Sequence, residues 1–116
     1  DILPLYVKKV IVIDTDLLFL RDISQIAAHF QYLNGGVVFA TAEDMYNRKK
    51  TNRYFPHKDH GENSGVMLLN LDTMRHSDWN DVWMAELQRL VGKFGHLVTS
   101  DQDVLTSLAL YRPDLH

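Results

Sequence analysis

The sequence predicts an α/β fold built on a mixed, mostly parallel sheet. Three observations lead there. Val10-Ile11-Val12-Ile13 is a continuous β-branched run of the kind found in strands covered on both faces. A second apolar run, Val37-Val38-Phe39-Ala40, follows after one helical segment, and strand, helix, strand at this spacing is the pattern of a parallel crossover unit. The composition, 46% apolar and 23% charged over 116 residues, is that of one globular core and too apolar for a disordered chain.

The elements follow in order. Residues 1–9 carry Pro4 and two lysines and read as the tail of a preceding element. After the first strand, Asp22 or Ser24 caps a helix with Ile23, Ile26, Ala27 and Phe30 on one stripe, and Asn34-Gly35-Gly36 stops it before the second strand. Residues 43–62 are polar, aperiodic and long for a connection, the profile of a functional or mobile loop. Gly65-Val66-Met67-Leu68-Leu69 is the third strand. A helix runs from Ser77 or Asp78 to Leu90, with Trp79, Val82, Trp83, Leu87 and Leu90 at helical spacing; its tryptophans are expected in the core, and Gly92 and Gly95 break it. Asp101 caps a last helix bearing Val104, Leu105, Leu108 and Ala109. So few strands make a small sheet, so the chain is expected to be a piece of a larger domain.

Several function classes fall away. A net charge of −3 leaves no basic footprint for nucleic acid, and Arg48-Lys49-Lys50 with Arg53 reads as a solvated loop. The absence of cysteine removes thiolate zinc sites, disulfides and cysteine nucleophiles. No apolar run reaches the roughly 20 residues of a membrane span.

The chemistry gathers at Asp14-Thr15-Asp16, at the carboxyl end of the first strand, where open α/β sheets bind ligands. Along a strand, residues i and i+2 point to the same side, which would aim Asp14 and Asp16 at one cation. Two carboxylates suit a hard divalent ion, Mn²⁺ or Mg²⁺, that keeps open positions for phosphate oxygens. Spacing alone does not separate this from turn or cap chemistry, because Asp101 and Asp103 form a second Asp-x-Asp pair.

Three blocks carry a resemblance. Residues 10–23, VIVIDTDLLFLRDI, then residues 63–71, NSGVMLLNL, then residues 100–105, SDQDVL, resemble in this order the signature segments of glycosyltransferase family 8. The likeness is strongest to the glucoside xylosyltransferases, followed by the xylosyltransferase domain of the LARGE-type enzymes. The resemblance implies a GT-A fold, Rossmann-like in kind, and transfer of a sugar from a UDP-sugar donor to a glycan or glycoprotein acceptor with retention of anomeric configuration. It implies a metal-binding pair in Asp14 and Asp16, with Asp14, Thr15, Asp16, Asn63 and Ser64 around the donor. It further implies catalytic roles for Asp101, holding donor sugar hydroxyls, and for Gln102, beside the reacting sugar face. An amide is a weak nucleophile, so stabilisation of an oxocarbenium-like species is the role expected of Gln102. The endoplasmic reticulum or Golgi lumen, with a membrane anchor in the full-length protein, is the compartment that the resemblance implies.

Two family segments have no counterpart here: the N-terminal nucleotide-binding strands, and a His-x-x-Gly-x-x-Lys segment bringing a third metal ligand and a phosphate contact. Residues 1–116 are therefore expected to be the central part of one transferase domain, with little or no transfer activity alone. His57 and His60 are spaced as well for solvent as for metal, and His29, His76, His96 and His116 are isolated. Two other classes compete. One is a catalytically inactive GT-A-like domain that binds sugar or protein through residues 43–62. The other is a Mg²⁺-dependent phosphate-transfer enzyme, disfavoured because no glycine-rich phosphate loop follows Asp16.

Overall fold

The computed structural model describes residues 2–44, Phe55 and residues 61–116. Most of the anticipated polar loop, with its basic stretch and both His57 and His60, lies outside the described residues. Three strands appear in the order β1 (Lys9–Ile13), β2 (Phe39–Asp44) and β3 (Gly61–Asn70). Between β1 and β2 a single helical turn, α1 (Ser24–Ala27), tightens into a 3₁₀ segment at Ala28–Tyr32. After β3 come α2 (Leu71–Arg75), α3 (Trp79–Phe94) and α4 (Asp101–Tyr111).

The sheet order is β1-β3-β2, and β3 is antiparallel to both neighbours. This corrects the expected mostly parallel sheet. β1 and β2 do run in the same direction, but β3 lies between them, so the crossover unit is split and no described pair is parallel. The apolar runs reveal strands, while the choice of neighbour depends on β3, a ten-residue strand with both edges free to pair. Ile11 faces Leu68 on one side of β3, and Phe39 faces Leu69 on the other. β1 is an edge strand among the described residues, and Val12 and Ile13 are 37% and 39% exposed rather than covered on both faces.

The core sits where α3 and α4 cover β2 and β3. Val38, Phe39, Phe55, Leu90, Val104, Leu105 and Leu108 are buried together with Leu115. Both tryptophans pack against this cluster as expected: the Trp79 ring lies 5.6 Å from Phe39 and 5.8 Å from Trp83. Leu115 reaches the sheet through its carbonyl, which accepts from the N–H groups of Val38 (2.9 Å) and Phe39 (3.2 Å).

Helix ends differ from expectation for local reasons. Ile23, not Asp22 or Ser24, holds the cap position of α1 and makes no side-chain cap bond; Asp22, one residue earlier, still accepts from the Ser24 N–H at 2.8 Å. Asn70 ends β3 and caps α2, its side chain accepting from the Thr73 N–H. Helix α3 passes through Gly92 and stops at Gly95, whose φ of +80° turns the chain left-handed. One glycine inside a helix is tolerated, whereas a left-handed residue ends it.

Candidate functional site

Because β1 and β2 run the same way, their carboxyl ends meet at the end of the sheet where β3 begins. Asp14 is one residue past β1, and its N–H still donates to the Gly65 carbonyl at 2.9 Å. Thr15 and Asp16 then turn away, so strand alternation does not govern Asp16, contrary to the argument that aimed both carboxylates by their i, i+2 spacing. All three residues are exposed. Further along, the Ser24 backbone N–H holds the Asp22 carboxyl below the ordinary carboxylate range.

The second block is a bulge. On the β2 side the pairing steps from Thr41 to Ala42, while on β3 it jumps from Met67 to Asn63. Ser64, Gly65 and Val66 therefore leave β2, while Val66 stays paired with Ile13 and Gly65 with Asp14. Such bulges re-aim side chains, and they recur beside active sites. Inside the bulge, Asn63 Oδ1 accepts from the Gly65 N–H at 2.8 Å. A Cβ on Gly65 would stand 2.9 Å from Asn63 Oδ1 and 3.2 Å from Asp14 Oδ2. Asp14 and Asn63 thus meet over a residue with no side chain, which brings the first and second blocks into one place. The turn that the residues Asn63-Ser64-Gly65 suggest is realised within a strand.

The third block opens α4. Asp103, rather than Asp101, ties down the preceding turn: its carboxylate accepts from the N–H groups of Val98 (2.8 Å) and Thr99 (2.9 Å) and from the Thr99 hydroxyl (2.6 Å). Asp103 is buried and Asp101 exposed, so the second Asp-x-Asp pair divides into one structural and one outward-facing residue. Ser100, before the helix, carries a φ of +58°, the one left-handed non-glycine residue described. Asp101 borders a hollow of about 270 Å³ with Met67, Leu69, Trp79, Trp83 and Leu105 among its walls. Gln102 points elsewhere: its Nε2 donates to Asp44 Oδ2 at 2.8 Å. No hydrogen bond joins Asp101 to Asp14, Asp16, Asn63 or Ser64 among the described residues.

Asp44 is the residue the sequence reading missed. It ends β2, as Asp14 follows β1, and it is 2% exposed. Ending the second strand at residue 40 placed Asp44 in a polar loop. The apolar-polar alternation of Ala40-Thr41-Ala42-Glu43 was the signal that the strand continues.

The donor set fits a hard divalent cation. Asp14 and Asp16 are exposed carboxylates with no ion-pair partner among the described residues, and Gly65 leaves room beside Asp14. No group of three or more His, Asp or Glu side chains among the described residues is placed to hold a metal ion by itself. Two carboxylates leave most of a coordination shell to water and ligand oxygens.

Comparison with known proteins bears on this arrangement. The chain superposes over 98% of its length on mouse xyloside xylosyltransferase 1, with a TM-score of 0.75 and 27% sequence identity, covering 45% of that chain. It is 36% identical over 120 residues to the human xylosyl- and glucuronyltransferase LARGE1 and 32% identical over 118 residues to human LARGE2. The chain belongs to this glycosyltransferase family. Its mixed α/β fold is that of a partial GT-A glycosyltransferase domain. The glycosyltransferase chain spans 16% of the length of LARGE1 and of LARGE2. No family profile matches it. No helix among its described residues is long and apolar enough to cross a membrane.

Proposed function

We propose that this chain forms the donor-binding and catalytic end of a retaining, metal-dependent glycosyltransferase. Its donor is a UDP-sugar, with xylose or glucose as the sugar, and its acceptor is a glycan or glycoprotein. The observation that carries the reading is the approach of Asp14 and Asn63 to the same side of Gly65, at the end of the sheet where β1 and β2 deliver Asp14 and Asp44. Similarity to transferases of xylose and glucuronic acid supports the donor class.

In this reading Asp14 and Asp16 hold Mn²⁺ or Mg²⁺, and Thr15, Asn63 and Ser64 line the donor site. A bound cation would neutralise charge on the departing diphosphate. Asp101 accepts hydrogen bonds from donor sugar hydroxyls, and Gln102 places its amide oxygen near the anomeric carbon as positive charge develops there. The acceptor hydroxyl then attacks the face from which UDP leaves. A further protein ligand and much of the nucleotide contact come from outside these 116 residues. The compartment that goes with such chemistry is the lumen of the endoplasmic reticulum or Golgi.

The test is Asp14→Asn with Asp16→Asn in the full-length protein. Transfer from UDP-xylose or UDP-glucose with Mn²⁺ should fall by at least about a hundredfold. Calorimetry should show UDP binding that strengthens with Mn²⁺ in the unsubstituted protein and loses that linkage in the variant. Undiminished transfer in the variant overturns the metal site. No metal-linked UDP binding in the unsubstituted protein favours a binding module on the same fold.

A further inference from the structure

Gln102 could present either end of its amide to a bound sugar. An amide nitrogen donates and its oxygen accepts, and the two ends differ sharply in value beside a centre gaining positive charge. Asp44 decides between them. A carboxylate accepts, so only the –NH₂ of Gln102 can face it, and the 2.8 Å contact from Nε2 to Oδ2 has this sense. Oε1 is then turned away from Asp44.

We propose that Asp44 is a positioning residue that locks the Gln102 amide with Oε1 toward the donor sugar. This rests on the role given to Gln102 above. Three features support it beyond the bond. Asp44 is 2% exposed, so its orientation is held by packing and solvent does not compete for its oxygens. It ends a strand, a rigid support, and pairs with Gly61 at the start of β3. The other end of the contact is anchored as well: the Glu62 N–H donates to Thr106 Oγ1 at 2.8 Å, one helical turn after Gln102 on the same face of α4. A hydrogen bond from Nε2 to a carboxylate also draws positive character onto the nitrogen and electron density onto Oε1, strengthening its interaction with a developing cation.

The experiment is a double-mutant cycle in the full-length protein, read as UDP release from UDP-xylose with Mn²⁺. Asp44→Asn is nearly isosteric but can accept or donate, so the amide loses its fixed sense. We expect kcat to drop roughly 10- to 100-fold while KM for UDP-xylose stays within about threefold, because orientation matters most in the transition state. In a Gln102→Ala background the same Asp44→Asn change should alter kcat less than about twofold, since its effect runs through the missing amide. Additive losses would overturn the proposal, showing that Asp44 acts on structure or substrate directly. A large Gln102→Ala loss beside an unaffected Asp44→Asn variant overturns the positioning role alone. Full activity in Gln102→Ala removes the role of Gln102 and this one with it.

Asp44 has other interactions too, so the variant's folding is checked by circular dichroism. If Asp44→Asn does not fold or UDP-xylose is not turned over, the unsubstituted protein still decides. Its Gln102 side-chain amide protons, assigned by their loss in Gln102→Ala, should be shifted downfield and exchange slowly with solvent. Free exchange would overturn the lock.

Discussion

Thr106 Oγ1 accepts the backbone N–H of Glu62 at 2.8 Å, and both residues are 3% exposed. Gln102 and Thr106 are one turn apart, so one face of α4 makes two polar contacts, to the end of β2 and to the start of β3. Replacing the hydroxyl by a methyl in Thr106→Val keeps the shape and removes the acceptor. The cost expected is about 1–3 kcal/mol, because a buried donor loses its partner. Urea unfolding should show this loss, and Thr106→Ser should recover most of it. A Thr106→Val protein as stable as the parent would mean that the bond contributes nothing.

Gly65 tests whether the meeting of Asp14 and Asn63 matters for ligand binding. Its φ is not left-handed, so Gly65→Ala strains no backbone, and the new methyl acts only on Asn63 Oδ1 and Asp14 Oδ2. Those side chains must yield by a few tenths of an ångström or more. Mn²⁺-linked UDP binding should weaken about tenfold or more with the melting temperature nearly kept; each factor of ten corresponds to roughly 1.4 kcal/mol. Unchanged affinity by calorimetry would show that these groups do not contact the ligand.

Glu86 carries a pH prediction away from the site. Burial acts to raise its pKa, but Arg89, at 2.9 and 2.6 Å, and the Ser107 hydroxyl both donate to it and together hold it below its ordinary value. A depressed folded-state pKa adds stability that is complete above the unfolded value, near 4.5, and drains away as pH falls through the folded value. Glu86→Gln should therefore cost stability at pH 7, on the order of 1 kcal/mol. The gap between the two proteins should narrow as acid is added below about pH 4.5. Melting curves across that range check the sign; a gap that widens on acidification would refute it.

Two glycines at the end of α3 should respond oppositely to alanine. Gly92 lies inside the helix with open space beside it, so Gly92→Ala should stabilise by roughly 0.5–1 kcal/mol. Gly95 also has open space, but its φ of +80° is hostile to a side chain, so Gly95→Ala should cost about 1 kcal/mol. Equal effects in thermal unfolding would mean that backbone conformation does not distinguish the two positions.

By itself, the sequence determined what depends on local pattern. The 3.6-residue period set the buried faces of α3 and α4, with Leu90, Val104, Leu105 and Leu108 inside. The ordered blocks marked Asp14, Asn63 and Gln102, because motif spacing is a property of the chain. Tertiary structure decided what depends on pairing. β3 separates β1 from β2, since an apolar run does not name its neighbour. The bulge at Ser64–Val66 brings Asn63 to Asp14, a meeting of residues 49 apart in sequence. Neither aspartate caps α4, contrary to the role expected of Asp101: Ser100 holds the cap position with no side-chain bond, Asp103 turns inward onto the preceding Val98–Thr99 turn, and Asp101 is left exposed. Asp44, in a stretch that reads as polar loop, became a buried partner of Gln102, 58 residues away. Hydrogen bonds over such separations form only after strands and helices have packed, so the orientation of the Gln102 amide was decided in three dimensions.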